Sequence, residues 1–136
     1  MWGNNGIARR RRQAALADLV TTALRTGDFA TPWRSSPAIW EHYRDEAEIL
    51  RELQLDWRTA LAGAVYVAIE AGDGDLQHDV MKAFTTIGQR HLGTRRILEA
   101  NATHPAIAGA MRKEQALLSS FTNVLAAVPD AVPSAA

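Results

Sequence analysis

The sequence contains no cysteine among its 136 residues. This absence excludes disulfide bonds and thiolate chemistry and fits a reducing compartment, so we expect the protein to be cytoplasmic. No apolar run reaches the length that a membrane-spanning helix needs, so we expect no membrane partner. The formal net charge is zero, which gives the chain no overall attraction to nucleic acid or anionic lipid. Because 47% of the residues are hydrophobic, the chain can bury the core of one folded domain.

Apolar residues recur at steps of three and four through most of the chain, the spacing of one face of an α-helix. We therefore predict an all-α fold, a compact antiparallel bundle of four main helices plus one short helix. The predicted helical domain spans residues 7–128. A flexible N-terminus at residues 1–6 precedes it, and a disordered tail at residues 129–136 follows it.

The bundle is predicted to be organised around one long helix from Ser36 to Gly72. Ser36 and Pro37 form a typical helix start, and Gly72 lies in a Gly/Asp cluster that typically ends one. The segment Leu61–Ile69 carries no charge, which indicates burial on most sides, so we expect it in the middle of the bundle. The apolar face is formed by Trp40, Tyr43, Ala47, Leu50, Gln54, Trp57, Leu61, Ala64 and Ala68.

Capping and turn residues mark the limits of the other helices. The predicted limits are Ile7 to Gly27 for the first helix, Asp73 or Asp75 to Gly93 for the third, Thr94 to Ala100 for the short one, and Thr103 or His104 to Pro129 for the last. Between the first two helices, Phe29 and Trp33 lie in a loop and are expected to pack onto the bundle.

Two polar side chains lie within predicted apolar faces. His91 is in line with Phe84, and Glu114 is in line with neighbouring apolar residues of the last helix. They are candidates for a buried acid–base pair, whose pKa values desolvation would shift, or for residues at the rim of the core. With the aromatic side chains of Trp57 and Tyr66, which can line an apolar cavity, they complete a predicted ligand-binding set: Trp57, Tyr66, Phe84, His91 and Glu114.

The residues that could bind a metal ion are few. Asp75-x-x-His78 and His42-x-x-x-Glu46 each occur once, and the Glu-x-x-His pairs of di-iron helical bundles do not occur. We therefore predict no metal site. No nucleophile motif or phosphate-binding loop is present, so we predict no cofactor and no catalytic residue, and we expect a protein that is not an enzyme.

Charge is concentrated at two places in the sequence. Arg9, Arg10, Arg11 and Arg12 form a basic cluster, while Glu41–Glu52 is rich in acidic residues. Four consecutive arginines on a helix point in different directions, and no nucleic-acid-binding motif accompanies them. We therefore expect no nucleic-acid partner. The four arginines are predicted to pair with acids such as Asp45, Glu48 and Glu52, in the same chain or in a partner chain.

Part of the chain resembles a known family. Asp56-Trp57-Arg58-x-Ala60-Leu61, followed by a helix and then Gly93-x-Arg95-x-Ile97-Leu98, resembles the ligand-binding half of TetR-type repressors, although no helix-turn-helix pattern precedes it. The resemblance implies a ligand-responsive helical domain.

Two functional hypotheses follow from the sequence. The leading one is a non-enzymatic helical interaction or regulatory module, because apolar residues exceed what a single buried face per helix requires. Its partner would be a second copy, giving a homodimer, or another helical protein. The alternative is a small-molecule-binding domain with a cavity lined by Trp57, Tyr66 and Phe84.

Overall fold

The computed structural model describes the backbone of residues 2–72 and 74–131 and the side chains of residues 5–72 and 74–120. Within these residues the fold is all-α, which confirms the predicted class. The helices are α1 (Trp2–Thr26), α2 (Glu46–Ala71), α3 (Leu76–Arg90), α4 (Leu92–Ala100) and α5 (Ala108–Ala131). Two 3₁₀ turns, Pro32–Ser35 and Pro37–Glu41, join α1 to α2. The nine-residue α4 is the predicted short helix.

The core lies where α1, the N-terminal half of α2, α4 and the start of α5 meet. Its largest fully buried side chain is Trp57, and Phe29 and Trp33 of the connecting loop pack with this core as predicted. The other members include Leu16, Leu19, Ala23, Ile39, Tyr43, Ile49, Leu50, Leu53, Ile87, Ile97, Leu98, Ile107 and Met111. The helices of the described residues are neither long nor apolar enough for any of them to cross a membrane.

The prediction of one helix from Ser36 to Gly72 is wrong at its start. Pro37 begins a separate 3₁₀ turn, and α2 begins at Glu46. Asp45 is the N-cap of α2, because its Oδ1 accepts a hydrogen bond from the Glu48 backbone N–H at 2.9 Å. The 3₁₀ turn buries Ile39, and Tyr43 after it is buried too, so this connection packs onto the core. Tertiary packing therefore outweighs the start signal at Ser36–Pro37.

The prediction that Leu61–Ile69 lies in the middle of the bundle is also wrong. Tyr66 is 66% exposed and Val67 is 63% exposed, and Ile69 is exposed as well. The buried residues of α2 are all in its N-terminal half, from Ile49 to Trp57. The C-terminal half of α2 packs against α3 as a helical hairpin. Helix α3 leaves Tyr66, Val67 and Ile69 exposed to solvent.

Several other helix limits differ from the predictions. Helix α1 begins at Trp2, so it includes residues predicted to precede it, and it ends before Gly27, whose φ of +79° supports the predicted stop. Helix α3 ends at Arg90, since His91 is its C-cap, and Gly93 is buried within α4. Helix α5 begins at Ala108 and continues to Ala131, past Pro129. The division into residues 1–6, 7–128 and 129–136 stays a prediction, and residues 132–136 lie outside the described part.

Candidate functional site

The five predicted ligand-binding residues divide into two groups in the structure. Trp57 contacts both Phe84 of α3 and Glu114 of α5, whereas Tyr66 is exposed on α2 and His91 is exposed at the end of α3. Trp57 and Phe84 are in direct edge-to-face contact, with ring centroids 5.7 Å apart. Tyr66 is 66% exposed while Trp57 is fully buried, so the structure does not bring Tyr66 together with these two rings. His91 and Glu114 are not a buried pair.

Glu114 pairs instead with Arg95 of α4, a residue that the sequence analysis did not select. The Arg95 Nη1 donates a hydrogen bond to the Glu114 Oε2, and the Trp57 Nε1 donates to the Glu114 Oε1 at 2.7 Å. The Arg95 Nε also donates to the Glu99 Oε1 at 2.8 Å. The guanidinium of Arg95 lies 5.0 Å from the Trp57 ring and 5.2 Å from the Phe84 ring, within cation–π range.

This Arg95 cluster, which consists of Trp57, Phe84, Arg95, Glu99 and Glu114, joins α2, α3, α4 and α5. The side chains of Arg95 and Glu114 are only 13% and 12% exposed. Both oxygens of Glu114 accept hydrogen bonds, so the carboxylate is already satisfied. Removing one partner of such a buried pair leaves an uncompensated charge and is strongly destabilising. The place of Glu114 in an apolar helix face indicated a buried partner, and nothing in the sequence identified that partner as Arg95.

The N-terminal arginines behave differently from one another. The Arg12 Nη2 lies 3.3 Å from the Glu48 Oε1 and 3.9 Å from the Glu52 Oε2, so this part of the predicted pairing is confirmed. Its guanidinium also covers the Tyr43 ring at 4.2 Å. Burial raises the pKa of the Tyr43 hydroxyl, and Arg12 beside it acts in the opposite direction. Residues 9–11 are exposed.

A groove lies between α2 and α3, with a volume of about 710 Å³. It could not be predicted from the sequence, because it depends on how the two helices pack. Small side chains form its floor and charged ones part of its wall on α3. The lining residues are Thr59, Ala60, Gly63, Ala64, Val67, Ala68, Ala71, Gly72, Asp79, Lys82, Ala83, Thr86, Ile87, Arg90 and His91. We call this groove, together with the adjoining Tyr66, the hairpin face.

Both ends of the hairpin face carry charged side chains. At the tip, Asp79 lies so close to Gly72 that a Cβ added at that glycine would overlap the Asp79 Oδ2. At the base lie Arg90 and His91, with Asp56 of α2 nearby. Burial raises the pKa of the Asp56 carboxyl, and so does the negative charge of Glu52, while His91 acts to lower it. Charges of both signs therefore occur at each end, since Lys82 lies one helical turn from Asp79 and Asp56 lies near His91.

Gly63 lies near the middle of the hairpin face along α2. A Cβ at this position would have no atom within 4 Å apart from those of its own helix neighbourhood, so the space above Gly63 is open. Tyr66 and Val67 follow within one turn and project into solvent. The face therefore combines a gap with two protruding apolar side chains.

The described residues contain no group of three or more His, Asp or Glu side chains placed to hold a metal ion. Asp75 of the Asp75-x-x-His78 pair caps α3 instead, since its Oδ1 accepts a hydrogen bond from the His78 backbone N–H at 3.2 Å. Comparison of the chain with protein-family models, with curated proteins and with solved structures finds no match to any of them.

Proposed function

We propose that this chain is a non-enzymatic helical interaction module that self-associates through the hairpin face. The observation that carries the proposal is the exposure of Tyr66 and Val67, 66% and 63% respectively, within the uncharged segment Leu61–Ile69. Contiguous exposed apolar side chains beside a groove are typical of protein–protein contact sites. Burying each of them in an interface would contribute roughly 1.5–3 kcal/mol.

The chemistry of the remaining candidates supports an interaction module over an enzyme. An acid–base mechanism would rest on His91 and Glu114, the two polar residues in apolar helix faces. Glu114 is instead bonded to Arg95 and Trp57, and His91 is an exposed helix cap. Such an arrangement favours stabilisation of the fold, so our proposal assigns no catalytic residue. The lack of cysteine fits the cytoplasm as the location that we propose.

The proposal is tested by measuring the molar mass of the protein in solution over a range of micromolar concentrations, by sedimentation equilibrium or light scattering. We expect a reversible monomer–dimer equilibrium. The change Val67→Glu should shift it to monomer, because it places a charge in the apolar contact. A matched control is Leu117→Glu, which changes an equally exposed leucine, 58% accessible on α5 and outside the hairpin face. It should leave the equilibrium unchanged.

A small-molecule-binding domain is the second candidate. The groove volume of about 710 Å³ is within the range of ligand-binding pockets, and His91 of the predicted ligand-binding set lies in it. The same experiment separates the two candidates. A wild-type protein that is monomeric at every concentration would contradict self-association and would make a ligand the better explanation of the groove.

A further inference from the structure

We propose that the groove between α2 and α3 binds an amphipathic monocarboxylate, a small molecule with one carboxylate head and an unbranched apolar chain of medium length. The head lies at Arg90 and the chain runs along the floor of the groove toward Lys82. This inference goes beyond the proposed self-association and does not depend on it, because the groove is open in the single chain. Three features carry it: the charge of the lining, the free guanidinium of Arg90 and the length of the apolar section.

The lining of the groove carries one net positive charge. Lys82 and Arg90 are cationic and Asp79 is anionic, and the only other titratable side chain among the described residues that line the groove is His91. Asp79 and Lys82 lie one helical turn apart, so their opposite charges largely cancel. Asp56 lies near His91 but outside the lining, and it forms no ion pair with Arg90. The charge that remains for a ligand is therefore that of Arg90.

The guanidinium of Arg90 is free to bind a carboxylate. It forms no ion pair or hydrogen bond with any described residue, whereas Arg12, Arg44 and Arg95 each pair with a glutamate. Thr86 lies one turn before Arg90 on the same face of α3 and also lines the groove. Its hydroxyl forms no hydrogen bond within the described part of the chain either. A guanidinium matches the two oxygens of a carboxylate, and a neighbouring hydroxyl adds a further donor.

The apolar section of the groove sets the length of the chain. Arg90 and Lys82 are eight residues apart on α3, which is about 12 Å along the helix. Between them α3 lines the groove with Ala83, Thr86 and Ile87, and every lining residue of α2 is uncharged. A saturated chain of about ten carbons spans this section, since C–C bonds of about 1.5 Å advance a zigzag chain by slightly less than their length. A longer chain would reach the charges of Lys82 and Asp79.

The first test measures the binding of decanoate to wild type by isothermal titration calorimetry at physiological ionic strength. We expect saturable binding of one decanoate per chain. Arg90→Gln should weaken it about tenfold, because a charge-assisted hydrogen bond to the head is lost. Lys82→Gln is the matched control, since it removes the other cation of the lining, and it should change the affinity less than about twofold. Weakening by Lys82→Gln and not by Arg90→Gln would contradict the proposed site of the head.

The second test varies the ligand. Each CH₂ added between octanoate and decanoate should tighten binding about two- to fourfold, and the gain should stop between decanoate and tetradecanoate, where the apolar section ends. 1-Decanol, which has the same chain and no charge, should bind about tenfold more weakly than decanoate. An affinity that keeps rising at the same rate to tetradecanoate would indicate adsorption to any apolar surface and would overturn the inference.

The third test fills the groove. A Cβ at Gly63 would meet no atom within 4 Å, so Gly63→Leu places its side chain in the open space and should abolish decanoate binding. Gly88→Leu is the matched control, because Gly88 is also a helical glycine with open space above it but does not line the groove. It should bind decanoate as wild type does. Both variants should stay folded by circular dichroism, since leucine favours a helix more than glycine does.

The outcomes separate this inference from the proposed function. If wild type shows no saturable decanoate binding, or if Gly63→Leu binds as tightly as wild type, the inference is wrong and the self-association is unaffected. A wild-type protein that binds decanoate but stays monomeric at every concentration contradicts the self-association alone.

Discussion

At the scale of single residues, Arg95 connects four helices although the sequence did not point to it. It bonds to Glu114 of α5 and to Glu99 of its own helix, and it lies against the rings of Trp57 in α2 and Phe84 in α3. Glu114 was selected because a carboxylate in an apolar helix face must find a partner. Glu114 does have a buried partner, but the sequence could not identify it as Arg95, since only the packing of α4 against α5 brings the two side chains together.

We predict that Glu114→Leu lowers the free energy of unfolding by about 3 kcal/mol, because it leaves Arg95 without its buried partner and Trp57 Nε1 without an acceptor. Urea denaturation followed by circular dichroism measures the change. Glu99→Gln is the control: Glu99 is 58% exposed, so its loss should cost less than about 1 kcal/mol.

The double change Arg95→Met and Glu114→Leu should recover most of the loss, since it removes both charges together. A double variant no more stable than Glu114→Leu alone would show that the ion pair is not the origin of the effect.

At the scale of helices, the local signals at Gly27 and Asp75 correctly predicted one helix end and one helix start. Gly27 ends α1 through its own backbone conformation, and Asp75 caps α3 through its own side chain. Such local signals can be recognised in a sequence without knowledge of the fold. The start of α2 was missed because Ser36–Pro37 and Asp45 are both good start signals. The choice between them depends on burial of Ile39 and Tyr43, which is decided by other helices.

Two glycines within helices allow a matched prediction at this scale. Gly88 of α3 has nothing within 4 Å of an added Cβ, so Gly88→Ala should raise the free energy of unfolding by up to about 1 kcal/mol through helix propensity. Gly93 of α4 is different, because an added Cβ would be 2.5 Å from the Val20 Cγ1 of α1. Gly93→Ala should therefore lower the stability by about 1–3 kcal/mol.

Urea denaturation of both variants and wild type gives the comparison. Stabilisation by both alanines would show that α1 and α4 are not packed as closely as the structure has them.

At the scale of the whole molecule, α2 belongs to two environments. Residues 49–57 are the centre of the core, whereas residues 61–69 form part of a hairpin covered mainly by α3. The uncharged composition of Leu61–Ile69 correctly marked the segment as unusual. Composition alone could not show that Tyr66 and Val67 are exposed, because a helix that is apolar all round is normally a buried one. The groove could not be predicted either, because its walls come from two helices whose packing the sequence does not show.

This division predicts an uneven distribution of local stability, which hydrogen exchange of backbone amides can measure. At low protein concentration, amides of residues 61–71 should exchange faster than those of residues 49–57, because opening the exposed half of the hairpin uncovers little buried apolar surface. At high concentration, amides of residues 59–71 and 79–91 should gain protection if the hairpin face is the contact surface, while those of residues 112–120 should not. Protection of residues 61–71 equal to that of residues 49–57 at low concentration would contradict the division, since one cooperative unit would then contain both halves of α2.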